Sequence, residues 1–326
     1  MNALQNQREK GAWLSSLPGV VTLAVICALF WGSAYPAVKA GYRLVGIEGG
    51  SAADKMYFAG LRFMLAGLTV WLCACALHKR LMLPKVKNLP RLMLLALTQT
   101  GLQYAFYYIG LANTTGAMGA IVSGSATLLS VLFSALAFQD DRLSARKVAG
   151  CLLGLAGVIV GSLNEGLNGI SMTLTGEGFL LLAAVFFAIG TVLCRRLAQE
   201  EDAGVVAGFH LFTGGLMLFA LSTLLGGHIH LETTAAWCIL GYLVLLSTVA
   251  YGLWTLLLSK NPVTRVMVFY SLIPIFGVTL SGIFLHERIF TIPNMLALLL
   301  VCGGIVVVNT GRGRAKHDDT LETKEK

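Results

Sequence analysis

GVVTLAVICALFWGSAYPAVKA, residues Gly19–Ala40, carries a single charge, at Lys39. At 1.5 Å per residue a helix over this stretch is about 33 Å long, enough to cross the hydrocarbon core of a bilayer. One such run is equally compatible with a buried core helix. Nine more follow, over 56–77, 91–112, 117–138, 147–163, 176–194, 204–226, 236–258, 264–285 and 291–309, with short polar joints between them. Ten in succession have no soluble explanation. The chain is 56% hydrophobic and 12% charged, where soluble domains carry about 25% charged residues. The pattern predicts an all-α polytopic membrane protein with ten transmembrane helices. Its 326 residues leave almost nothing over for a soluble domain. The first run is too long for a cleaved signal peptide and is expected to be retained.

The formal charge of +8 raises the question of nucleic acid, and the placement of the charge answers it. With a cytoplasmic N-terminus, the inner side holds Arg8 and Lys10, Lys79 to Arg91, Arg142 to Lys147, Arg195 and Arg196, Lys260 and Arg265, and the basic residues of the tail. The outer joints hold only Arg43, Lys55 and Arg288. This is the positive-inside bias of a membrane protein. It predicts a bacterial inner membrane with both termini cytoplasmic, a eukaryotic organelle being the alternative. No interleaved nucleic-acid pattern accompanies the basic residues. The seven cysteines (Cys27, Cys73, Cys75, Cys151, Cys194, Cys238 and Cys302) fall inside apolar runs. They show neither metal spacing nor a disulfide framework, so no cofactor is expected.

The two halves read as copies. Ala59-Gly60-Leu61-Arg62 matches Ala207-Gly208-Phe209-His210 at an offset of 148, and Tyr104 with Tyr107 matches Tyr251 with Trp254 at 147. Asp141-Arg142-Leu143 matches Glu287-Arg288-Ile289, which brings Ser125 onto Ser271 and Gly157 onto Gly303. Lys39 falls on Arg195. Each half has five helices, an odd number, so the second copy is inverted relative to the first, as in many secondary transporters. The expected organisation is a cytoplasmic segment 1–18, a first five-helix repeat 19–163, a second 170–310, and a charged, disordered tail 311–326.

The motifs within these repeats resemble the drug/metabolite transporter superfamily, EamA type. Phe30-Trp31-Gly32-Ser33-Ala34-Tyr35 is similar to that family's aromatic-Trp-Gly start, and Leu61-Arg62-Phe63 to its Arg-Phe pair. Leu272-Ile273-Pro274-Ile275-Phe276 followed by Phe284-Leu285-His286-Glu287-Arg288 resembles its Pro and Leu-Gly-Glu-Arg ending. The chain departs from the pattern at Asp140, Asp141, Leu128 and His286. The resemblance covers about residues 19–310. It implies ten helices, cytoplasmic termini and export of small metabolites such as amino acids.

Ionisable and polar residues inside apolar runs are costly, and so point to function. Lys39 either lines a cavity and pairs with a substrate carboxylate or phosphate, or snorkels to the interface. Arg62 is expected in a structural ion pair, with Glu177 or a helix C-terminus as its partner. His210 either relays a proton or is a buried neutral imidazole bonded to a hydroxyl; Glu177 is the other proton-coupling candidate. Gln103, Tyr104, Tyr107, Tyr251 and Trp254, with Tyr35 and Ser271, are expected to line a substrate cavity by stacking and hydrogen bonding. An aromatic belt and ordinary interhelical bonds are the alternative. Pro36 and Pro274 are expected hinges. Gly150, Gly154, Gly157 and Gly161 mark close helix packing within the monomer, or a homodimer contact. His228-x-His230 with Glu232 is a weak metal motif, and no metal is expected.

These features favour a secondary transporter, with a small-molecule substrate and the lipid bilayer as partners and no enzymatic activity. A passive channel and a membrane-embedded enzyme remain as alternatives. No phosphate-binding glycine loop is present, which argues against ATP drive from this chain.

Overall fold

The structure, a computed structural model, describes residues 12–113, 116–162, 173–285 and 292–309. Among these, every regular element is helical. Helix α1 is Leu17–Leu44 and α2 is Ala52–His78. Helix α3 comprises Leu89–Ala96, a π turn over Leu97–Leu102, and Gln103–Ala112. Helix α4 is Gly116–Ala137 and α5 is Ala145–Ser162. Helix α6 opens with a π turn, Leu174–Gly178, and runs on as Phe179–Glu200. Helices α7, α8 and α10 are Ala203–Leu224, Thr234–Lys260 and Ile292–Asn309. Helix α9 is broken into Val263–Met267, a 3-10 turn Val268–Ser271, and Leu272–Leu285. Among the described residues α1, α2, α6, α7 and α8 are each long and apolar enough to cross a membrane.

The distribution of side chains is the reverse of that in a soluble protein. Leu77, Leu136, Leu224 and Phe284 stand exposed, while Arg62, Thr100, Gln103, Ser130, His210 and Ser247 are buried. An apolar exterior around a polar interior suits hydrocarbon as the surrounding solvent.

The helix contacts repeat across the two halves. Helix α1 packs on α8 and α9, and its counterpart α6 packs on α3 and α4; α2 pairs with α7, and α5 with α10. Glycines bring the last two pairs close. A Cβ on Gly67 would lie 2.2 Å from the Phe212 amide nitrogen, and one on Gly215 2.6 Å from that of Met64. Further along, Gly204 meets Ala74. Position therefore falls along α7 as it rises along α2, so the two run antiparallel. The same holds for α5 and α10, where Gly150 meets Gly304 and Val308, and Gly157 meets Ala297 and Val301. Equivalent helices pointing in opposite directions are the inverted relation expected from the odd helix count. The glycines of α5 face a helix of their own chain, and Gly154 also abuts Ser271.

Two breaks were not legible as such. The π turn of α3 coincides with Thr98-Gln99-Thr100-Gly101, whose side chains are buried; extra polar groups and a glycine loosen the backbone ladder there. In α9 the expected kink at Pro274 lies instead at Val268–Ser271. Helix resumes at Leu272, which leaves Pro274 in a first turn, where no backbone donor is required. Pro36 does lie inside continuous helix, in α1.

One end of the bundle is tied by polar contacts. Asp141, fully buried between α4 and α5, accepts from Ser134 (2.5 Å), from Lys147 (2.8 Å), and from both the amide and the hydroxyl of Thr264 at the start of α9. Burial alone would raise the Asp141 carboxyl; the bonds from Lys147, Ser134 and Thr264 outweigh it and hold the group below the ordinary range. Nearby, Arg195 at the end of α6 pairs with Asp140 and lies over the Phe138 ring.

Candidate functional site

The buried centre is built from aromatic residues of several helices. Trp31 of α1 touches all three clusters of the apolar core. Its ring centroid lies 5.3 Å from Tyr251, 5.0 Å from Trp254 and 6.0 Å from Tyr270. Gly32 lets α1 come this close to α9, since a Cβ there would collide with Phe276. Phe63 of α2 contacts both Tyr104 (4.5 Å) and Tyr251 (6.1 Å). Tyr104 also packs on Tyr107 and Tyr108.

Polar groups meet at the same depth. The hydroxyls of Tyr104 and Tyr251, equivalent residues of the two repeats, are 2.6 Å apart. A pair of equivalent atoms in contact marks the pseudo-two-fold axis between the halves. Flanking it, Arg62 Nε donates to Ser247 Oγ at 2.8 Å, and Ser247 in turn donates to the Leu243 carbonyl. On the other side Thr100 Oγ1 and His210 Nδ1 are 3.1 Å apart. Arg62 and His210 are repeat equivalents, and so are Ser247 and Thr100. The two bonds are thus copies of one another, related by the axis.

The carboxylate partner expected for Arg62 is replaced by the Ser247 hydroxyl. Glu177 turns instead to the amide and hydroxyl of Thr173, at the head of α6. His210 adopts the hydroxyl-bonded arrangement. Gln103, Tyr104, Tyr107, Tyr251 and Trp254 all lie at or beside the centre. Gln103 Oε1 and Trp254 Nε1 are buried without a hydrogen-bond partner. Ser271 is buried and packs on Gly154 of α5. Lys39 is exposed on α1, outside the described ring contacts. The backbones at Tyr35 and Pro274 are helical, but their side chains lie outside the described residues, as do His286, Glu287 and the tail.

Sequence reading missed Trp31, Phe63 and Tyr270 as members of this centre. Ser247 belongs to the same polar-aromatic stretch of α8 as Tyr251 and Trp254, and stands opposite Thr100 at the offset that pairs Tyr251 with Tyr104. No group of three or more candidate metal ligands occurs among the described residues. His228 and His230 line a hollow of about 370 Å³ at the joint before α8. There His228 Nδ1 lies 3.5 Å from the Asp54 carboxylate and His230 Nδ1 lies 3.9 Å from that of Glu232.

Two inverted helical halves meeting at a polar, ring-lined centre within an apolar exterior have the architecture of a membrane transport protein. The chain belongs to the EamA-like transporter family of the drug/metabolite transporter superfamily, whose pattern matches residues 19–163 and again 174–310. It is 27% identical over 302 residues to a WAT1-related chloroplast protein of Arabidopsis thaliana, covering 90% of this chain and 70% of that one. It is 24% identical to an Escherichia coli protein named "Probable amino-acid metabolite efflux pump", covering 89% of this chain and 94% of the other. A crystal structure at 22% identity shares the fold, with a TM-score of 0.75 over 90% of this chain and 98% of that chain.

Proposed function

We propose that this transporter is a secondary carrier that exports a small metabolite, of the amino-acid kind, by alternating access. The observation that carries the reading is the Tyr104–Tyr251 contact. It lies where the two inverted halves meet, so rocking of one half against the other would expose the same residues first to one side and then to the other. Gln103, Tyr107 and Trp254 would complete the solute site around this pair. The similarity to a protein named as an amino-acid metabolite efflux pump supports the substrate class. The charge distribution supports an inner membrane with both termini cytoplasmic, and with it the polar network at Asp141 as the closed cytoplasmic end.

Solute counterflow in proteoliposomes tests this reading. Vesicles loaded with an amino acid at high concentration should take up the labelled solute transiently above equilibrium, and the rate should saturate. A channel would give flux without saturation or counterflow, and would overturn the carrier reading.

A further inference from the structure

Arg62 is the one cation buried at the centre among the described residues. It is only 6% exposed, so its side chain does not escape to water at the membrane surface. A guanidinium held there normally has a carboxylate partner, because desolvating an unpaired charge is expensive. This one has none among the described residues. Nε is bonded to a neutral hydroxyl, and the group lies over the Phe63 ring at 4.9 Å. The described acids that are buried, Asp141 and Glu177, sit at helix ends and are engaged elsewhere.

The two terminal nitrogens of Arg62 make no hydrogen bond among the described residues. The phenols of Tyr42, Tyr108 and Tyr251 lie within electrostatic reach of the guanidinium. A planar fork of two donors matches a carboxylate in bidentate geometry. The neighbouring rings offer apolar faces to the rest of a small molecule.

We propose that the solute is an organic anion or zwitterion whose carboxylate is held by Nη1 and Nη2 of Arg62, with an apolar or aromatic body against the rings of Phe63, Tyr104 and Tyr251. The inference deepens the transporter reading and rests on it. It assigns the sign of the solute: a site with one fixed positive charge and no acid accepts carboxylates and rejects organic cations.

The test uses the full chain in lipid nanodiscs and the fluorescence of Trp31 and Trp254, with phenylalanine, phenylacetate, phenylacetamide and phenethylamine as probes. The two carboxylates should give saturable changes in a low-salt buffer free of chloride and of other carboxylates. The neutral amide should bind about tenfold or more weakly, and the amine not at all. Arg62→Gln should remove the preference for carboxylate over amide, and Arg62→Lys should keep a reduced one, with a thermal melt reporting that each variant is folded. If Arg62→Gln does not fold, wild type and Arg62→Lys carry the comparison. Equal binding of carboxylate and amide to the wild type overturns the proposal, as does an absence of binding by any probe. So does occupation by chloride alone that phenylacetate cannot displace. The transporter reading fails separately. Carboxylate-selective binding without counterflow would leave the anion site and sink the carrier. Saturable counterflow of neutral solutes that persists in Arg62→Gln would keep the carrier and sink the anion site.

Discussion

Arg62 in the first repeat and His210 in the second occupy the same place in two copies of one architecture, yet they differ in charge. Each reaches across to a hydroxyl of the other half, Arg62 to Ser247 and His210 to Thr100. The surroundings match. The glycines that bring α2 and α7 together are reciprocal, and Tyr104 meets Tyr251 on the axis between them. Only the first repeat supplies a permanent cation. Symmetry of the scaffold and asymmetry of the chemistry are therefore separate features. The first allows two packings of similar free energy, as an alternating device requires. The second gives the centre a sign.

The sharpest way to break this comparison is Arg62→Met. If Arg62 serves the solute, replacing an unpaired buried cation with an apolar chain should leave stability unchanged or raise it, by up to about 1–4 kcal/mol. Carboxylate binding should fall by about a hundredfold or more. His210→Met should behave differently, costing about 1 kcal/mol as the Thr100 hydroxyl loses its partner. Melting temperatures and probe titrations on the same preparations check both. An Arg62→Met protein that unfolds would make the arginine a structural group.

Much of this is legible in the sequence alone. Ten long apolar runs imply helices, because a bilayer leaves the backbone no other way to satisfy its polar groups within one segment. The drifting offset of 146 to 148 exposed the repeat, and an odd helix count implied its inversion. The tyrosine pair on the axis was legible as a pair of equivalents, although nothing in the sequence said that the two hydroxyls touch. Arg62 was misread because a rule for buried charges supplies a partner by default; which side chain stands opposite is decided by helix packing. The break in α9 escaped for a similar reason. Proline reads as a kink, yet where helix restarts two residues earlier it is simply a first-turn residue.

The polar end of the bundle gives the next largest effect. Asp141 joins α4, α5 and α9, and Asp141→Asn should cost about 3 kcal/mol by leaving Lys147 without its carboxylate. Because the folded carboxyl titrates below its ordinary value of about 3.9, its contribution is present above that pH and is lost as pH falls through the folded pKa. Wild-type stability should therefore drop below about pH 4, and the variant should lack that part of the drop. Denaturation in detergent across pH 2–7 measures it. Its repeat counterpart Glu287 lies outside the described residues, so this contact tests one end alone.

The glycine seam tests whether the scaffold itself is symmetric. Gly67→Ala and Gly215→Ala should each cost about 1–3 kcal/mol, because the added methyl meets backbone of the facing helix in both cases. Gly252→Ala in α8 meets nothing within 4 Å and should be neutral, or favourable by a few tenths to about 1 kcal/mol. Unequal costs at Gly67 and Gly215 in thermal melts would show that the halves pack differently despite their matched sequences.

The smallest effect falls on the axis itself. Tyr104→Phe and Tyr251→Phe each remove one hydroxyl of a single 2.6 Å contact, and each should cost about 1 kcal/mol. Both substitutions break the same bond, so the double variant should cost little more than either alone. A double-mutant cycle then returns a coupling of about 1 kcal/mol. Additive costs would mean that the two hydroxyls act independently and that the halves do not share this bond. Equal single costs with strong coupling would mean that the axis is a true point of exchange. The same hydroxyl pair would then lie at the centre of both packings, and the preference for one solute would rest on Arg62, which lies to one side of it.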